Sequence, residues 1–399
     1  MIRSRRLWLW IAILIGVVVV LTLLAAGYYV FRALNARASL ADYMLDHPDN
    51  TAAVAVTIDE NGAWVEDENT LLYNADTPLV MASTMKTVIL AAYASAVVDG
   101  ALDPQEGVPV SAVERYFLPG TDGGAHALGL HSLGYEVKED GFAADPSAQV
   151  TLDDLARIMI HYSGNAETDY LLSRLGPERI QTAQDAAGMT PIPIEYTVGV
   201  ALALFNHEQA AYSLPPMQAL VEEVNASGDR AAIDRLVDLY LHDEEWRAAQ
   251  IAFLDSVKGL EVDTADVWAY QVTGSQLLPH GTARDYAHLM GLVATGRMIS
   301  PEVSALMQEK LESIPADDPM RWLFYRRFGA KDGVTAGVLA LVSYGEPRRG
   351  PLKGETRVVV VIVNECPLED WARQVQYQGY YLLDASLANK GKVFQQFIE

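Results

Sequence analysis

The chain has 399 residues, half of them apolar, which is enough for a large buried core in one large domain or two ordinary ones. Its formal net charge of −23 argues against a nucleic-acid partner and requires that any anionic ligand be met by locally placed cations. The only cysteine, Cys366, excludes an internal disulfide and leaves the redox compartment open.

Residues 7–30 carry no charge and follow Arg3, Arg5 and Arg6. As a helix rising about 1.5 Å per residue, they span the hydrocarbon core of a bilayer. Trp8 and Trp10 stand at one end and Tyr28 and Tyr29 at the other, where interfacial aromatics belong. A cleaved signal peptide would have a shorter apolar region of about 7–15 residues. The stretch therefore reads as an uncleaved transmembrane anchor. Residues 1–6 would lie in the cytoplasm, 31–50 would form a juxtamembrane helix, and 51–399 would fold outside, although Arg32 and Arg37 weaken the charge bias.

Residues 52–59 read as a strand, and Asn61-Gly62 as a hairpin turn before a second strand near Trp64. Residues 87–96 are apolar and alanine-rich, with no Gly or Pro until Gly100, and read as a helix. Ser83 falls at its start and Lys86 three residues on, which puts both side chains on one helical face, about 5–6 Å apart at Cβ. A serine hydroxyl is inert until a neighbouring base takes its proton. A lysine can be that base only if burial or another cation lowers its pKa. Taken alone, the pair also reads as an N-cap and a solvated lysine.

The glycine-rich loop 117–124 lacks the spacing of a phosphate loop. Thr151 and Asp154 open a helix as a capping box, and that helix ends at the polar turn Tyr162-Ser163-Gly164-Asn165, before a further helix. Residues 199–279 are mostly helical, with Ile233, Leu236, Val237, Tyr240 and Leu241 forming one packing stripe. His207, His242 and His280 are widely spaced, and no pattern of metal ligands appears. Residues 338–344 form a strand after Lys331-Asp332-Gly333, and the β-branched run 357–364 reads as a central strand buried on both faces. Between these two, Gly345-Glu346-Pro347 with Gly350-Pro351 reads as a loop, and a final helix starts near Glu369. Strands at both ends of the domain around a helical middle imply that the two ends share one sheet.

Three elements thus stand in order: Ser83-x-x-Lys86, Ser163-Gly164-Asn165 and Lys331-Asp332-Gly333. With the flanking runs MASTMKTVIL, VTLDDLARIMIHYSGNAETDYLLSRLG and Gly281-Thr282-Ala283-Arg284-Asp285, they resemble the serine β-lactamase and penicillin-binding-protein superfamily, class A β-lactamases most closely. The resemblance runs from about residue 52 to the end, except for a helical insertion at about 205–265. It implies an α/β (α+β) fold, an antiparallel sheet flanked by helices beside an all-helical lobe, with the active site between them. It also implies that Ser83 is acylated, Lys86 accepts or relays its proton, and Ser163 carries a proton to the leaving nitrogen. Asn165 would bind the substrate amide, and Lys331 would lower the pKa of Lys86 and attract an anionic substrate. Gly333 completes the third motif, and the N–H groups of Ser83 and Val334 would form the oxyanion hole. No cofactor or metal is implied. The expected ligand is a small-molecule β-lactam or a peptidoglycan-type peptide.

Departures from the family pattern matter as much. Gly164 replaces an Asp that braces the turn. Asp332 replaces a hydroxyl residue that helps bind the substrate carboxylate, and would repel it unless turned away or paired with Arg326 or Arg327. The Glu-x-x-Leu-Asn element that activates the deacylating water is missing, and Glu195 is the nearest candidate by order. The expectation is an extracytoplasmic, membrane-anchored serine hydrolase that acylates faster than it deacylates. A D-alanyl-D-alanine peptidase, an esterase and a non-catalytic cell-wall-binding module stand as alternatives.

Overall fold

The computed structural model describes residues 2–209, 212–257, 264–313 and 320–398. The chain opens on one helix, α1 (Ile2–Asp46), with no break between the apolar stretch and the juxtamembrane segment. Most side chains of the expected membrane span lie outside the described residues, and among the described residues no helix is long and apolar enough to cross a membrane.

After α1 come β1 (Thr51–Ile58), β2 (Trp64–Val65) and β3 (Leu71–Tyr73), with Gly62 taking a φ of +79° at the expected hairpin. β4 (Leu79–Val80) leads through a 3₁₀ turn, Ala82–Met85, into α2 (Lys86–Val98). The helical lobe follows, with β5 (Gly107–Pro109), α3 (Val110–Val113), α4 (Ala125–Ser132), β6 (Gln149–Thr151), α5 (Leu152–His161) and α6 (Asn165–Ala186). Five further helices are α7 (Thr197–Leu204), α8 (Leu214–Ser227), α9 (Ala231–His242), α10 (Glu244–Val257) and α11 (Thr264–Ser275). β7 (His280–Gly281), α12 (Ala283–Ala294) and α13 (Pro301–Leu311) return the chain to the sheet. It finishes with β8 (Tyr325–Thr335), β9 (Val338–Pro347), β10 (Thr356–Val363), α14 (Leu368–Tyr377), α15 (Gly379–Ala388) and α16 (Lys392–Gln396).

The main sheet is antiparallel in the order β2-β1-β10-β9-β8, with β3 also paired to β1. β10 lies between β1 and β9, and its alternation explains why it is apolar at every step from Val358 to Val363. Val358, Val360 and Ile362 join Val54 and Val56 in one core with α2, α12 and α13. Val359, Val361 and Val363 face the other way, onto Leu40 and Met44 of α1 and Leu383 and Leu387 of α15. Each fully buried side chain of this kind contributes about 1.5–3 kcal/mol. The expected fold class, an antiparallel sheet between helices with a helical lobe, is the one observed.

Two expectations about the C-terminal part are corrected. Gly345 to Pro347 are not loop; they extend β9, and a Cβ on Gly345 would lie 2.7 Å from the Tyr325 ring and 2.8 Å from the Arg327 carbonyl. That glycine serves close approach rather than a turn. The single final helix is in fact three, with Gln378 at a φ of +49° turning α14 into α15.

Candidate active site

Ser83 stands in the 3₁₀ turn before α2, one residue after Ala82, whose φ of +45° puts a non-glycine in left-handed backbone. The N-cap of α2 is Met85 and makes no side-chain cap bond, so the helix start is built from packing and strain rather than from a capping serine. Ser83 is half-buried and lines a cavity of about 650 Å³.

Lys86 begins α2 and is fully buried. Its Nζ donates to the Ser163 carbonyl at 2.6 Å and to Asn165 Oδ1 at 2.8 Å, and lies 3.3 Å from Ser163 Oγ. Burial, helped by the charge of Lys331, pulls the Lys86 ammonium down to about 7. A lysine so shifted is partly neutral at physiological pH and can take a proton. Ser163 itself sits at a φ of +68°, and the bond from Lys86 to its carbonyl helps hold that strained turn.

β8 brings the third element. Lys331 is buried, and its Nζ donates to the Asp332 carbonyl at 2.8 Å and to Asp332 Oδ1 at 3.0 Å. Gly333 is where the strand crosses the 3₁₀ turn. A Cβ there would lie 2.7 Å from the Met81 carbonyl and 2.9 Å from the Ser83 nitrogen, so only glycine lets β8 pass. That approach sets Val334 beside Ser83, and both line the cavity.

The two departures acquire physical reasons. Gly164 has ordinary backbone angles, but a Cβ on it would lie 2.0 Å from Glu167 Oε2 and 3.0 Å from Ile158 Cγ2. The carboxylate of Glu167, three residues on, occupies the space a side chain at 164 would take. Glu167 is buried, and its Oε1 accepts from His126 Nδ1 at 2.6 Å, while His126 Nε2 lies 3.6 Å from Glu114. Burial alone would lower the His126 pKa, but the two carboxylates outweigh it and raise it to about 10. A buried Glu–His⁺–Glu row therefore backs the turn.

Asp332 is paired, as the electrostatics require, but with Lys331 and with the Tyr380 hydroxyl at 3.3 Å, not with Arg326 or Arg327. Arg327 goes to Glu312 and to the Ala294 carbonyl. Burial opposes ionisation of Asp332, yet Lys331 and these hydrogen bonds hold its carboxyl below the usual range.

The structure does not bring Glu195 to Ser83. It lines a separate cavity with Arg230 and His280, on the far side of Val200 and Leu278, and burial raises its pKa. The acidic groups that do approach are ones that motif spacing misses. Asp122, in the glycine-rich loop, lines the Ser83 cavity while its carboxylate accepts from Gly124 and His126 backbone N–H groups. Asp169 is buried behind Lys86 and caps α7 through the N–H groups of Thr197 and Val198. Burial pushes its carboxyl up to about 7 against those donors. Trp371 of α14 closes one side of the cavity, its ring 5.2 Å from that of Trp268. The only available signal was clustering: Glu167 and Asp169 fall within four residues of Asn165. Among the described residues no cluster of side chains could hold a metal ion.

A family model described as the beta-lactamase enzyme family matches residues 38–336, which include all three motifs. No curated protein matches the chain. Among solved structures, a beta-lactamase from Sphaerobacter thermophilus is 17% identical, with 84% of this chain and 91% of that one covered and a TM-score of 0.46. PBP-A is 16% identical, with coverage of 91% and 96% and a TM-score of 0.47. A beta-lactamase from Chitinophaga pinensis is 12% identical, with coverage of 88% and 99% and a TM-score of 0.48.

Proposed function

Because this chain belongs to the beta-lactamase enzyme family, and is a serine hydrolase by that membership, we propose that it opens a β-lactam or a related amide or ester through an acyl-enzyme on Ser83. The observation that carries the reading is Lys86: buried, at a pKa of about 7, bonded to Ser163 and Asn165 and three residues from Ser83. Ser83 Oγ attacks the carbonyl carbon and passes its proton to Lys86. The N–H groups of Ser83 and Val334 take the oxyanion, a contribution of about 3–4 kcal/mol per donor. Ser163 returns a proton to the leaving nitrogen or oxygen as the bond to carbon breaks. Water then hydrolyses the ester on Ser83.

That last step needs a base at the acyl-enzyme, worth about 10²–10⁴-fold, and Glu195 faces another cavity. The acyl-enzyme accumulates on this reading. The same observation supports a D-alanyl-D-alanine peptidase or an esterase as the second reading, since both rest on acylation first.

Intact-protein mass spectrometry of the full chain with penicillin over time tests the proposal. One adduct per chain, persisting through turnover and absent in Ser83→Ala, is expected. Equal labelling of Ser83→Ala would remove the assignment, and a wild type that neither penicillin labels nor 4-nitrophenyl hexanoate acylates would leave the non-catalytic module.

The anchor belongs to the proposal as well, and its support is the uncharged 7–30 stretch behind three arginines. A C-terminal reporter should be active only on the outer side of the membrane. Activity confined to the cytoplasm would overturn it.

A further inference from the structure

The cavity at Ser83 does not end there. Past Thr121, Leu204 and Gln271 it continues into a second space of about 450 Å³, whose far wall is Phe205 with Leu254 and Val257 of α10. No charged residue lines this second space among the described residues. It is an apolar annex, built by helices of the segment that the motifs do not cover.

The charges around Ser83 point the same way. Asp122 and Asp332 are the charged residues lining the Ser83 cavity among those described. The two lysines lie behind the wall, buried: Lys86 on Ser163 and Asn165, Lys331 on Asp332. An approaching carboxylate meets the charge of Asp122 and an Asp332 whose partner Lys331 is already engaged, with no exposed cation among the lining residues described, on a chain with a net charge of −23.

We propose that the substrate of this site is an uncharged ester or amide whose acyl part carries an apolar group seated between α7 and α10, and that ligands bearing a carboxylate are disfavoured. This rests on Ser83 being the acylated residue. For an ester, the bond from the acyl carbon to the alcohol oxygen breaks, the alcohol leaves with the proton Lys86 took from Ser83, and water later releases the free acid. The acid formed carries a new negative charge beside Asp122 and Asp332, which favours its departure.

The test uses the full chain with 4-nitrophenyl acetate, 4-nitrophenyl hexanoate and a carboxylate-bearing chromogenic cephalosporin. Each buried methylene is worth about fourfold, so kcat/KM for the hexanoate should exceed that for the acetate by about tenfold or more. In Leu254→Asp, and in Val257→Ser should that variant fail to fold, the hexanoate-to-acetate ratio should fall toward one. Asp332→Ser should raise acylation by the cephalosporin about tenfold relative to the hexanoate. A wild-type ratio near one, a ratio that neither α10 variant changes, or a cephalosporin that outruns the hexanoate ester in the wild type would each overturn the inference. Ester cleavage that survives in Ser83→Ala would instead overturn the acyl-enzyme reading on which it rests.

Discussion

At Gly164, a position that looks like a weakened brace is a brace rebuilt from elsewhere. Glu167 Oε2 stands where a side chain at 164 would be, and His126 holds that carboxylate from behind. Gly164→Ala should therefore cost stability, about 1–3 kcal/mol as for other overpacked cores, and slow acylation by displacing Ser163 and Asn165. The double variant Gly164→Asp with Glu167→Ala supplies the carboxylate from the turn itself, and should acylate faster than Gly164→Ala; a slower rate would show that Glu167 does more than fill space. Lys86 sets the pH dependence. Its folded pKa is lowered to about 7, and in the proposed mechanism only its neutral form accepts the proton of Ser83, so acylation should rise with pH through about 7 and then level. Lys331→Ala removes a charge that depresses Lys86, so the inflection of single-turnover acylation should move upward. Ser83 with Lys86, and Ser163 with Asn165, are short-range pairs that a sequence displays directly, and the fold joins the two pairs through the Lys86 ammonium. His126 and Glu167 lie 41 positions apart, and nothing local in a sequence pairs them.

At the scale of elements, α15 ties the sheet to the site. Tyr380 reaches Asp332, and one turn along the same helix the buried Asp384 accepts from the hydroxyls of Tyr325 on β8 and Ser343 on β9. Burial raises the Asp384 carboxyl to about 7 despite both donors. A carboxyl raised in the folded state stabilises fully below its unfolded value, near 4, and that stabilisation is lost as pH rises through about 7. Asp384→Asn does not titrate, so its melting temperature relative to wild type should rise between pH 4.5 and pH 8; a constant difference would mean that Asp384 is ionised throughout. β10 was readable because a strand buried on both faces is apolar at every position, and no helix pattern competes. Gly345 was misread because glycine marks turns and close approaches alike, and only the ring of Tyr325 across the sheet tells them apart. The bend at Gln378 stands just before Gly379, but that glycine serves a close approach, since a Cβ on it would lie 2.9 Å from the Ala36 backbone, and the left-handed residue is the glutamine.

Over the whole molecule, the two ends of the chain are one structure. Ala36, Leu40, Ala41 and Met44 of α1 are buried, and Leu40 and Met44 pack with Leu383 and Leu387 of α15. A chain beginning at residue 31 should keep the stability of the full domain, whereas one beginning at residue 47 loses about 1.5–3 kcal/mol for each of Leu40 and Met44. Equal denaturation midpoints for the two truncations would mean that this packing adds nothing. The same helix also runs without interruption back to Ile2. The domain grips it close to residue 30: the Tyr29 ring lies 5.6 Å from that of Tyr377, Arg32 lies over the Tyr377 ring, and Ala33 and Ala36 are buried. Were the first part of α1 seated in a bilayer, as proposed, the domain would stand on a strut rather than a tether. Its height and tilt above the membrane plane would then be set, and its reach would be a thin layer parallel to that plane. Substrate would have to pass through that layer, because a domain so held could not swing out to meet it.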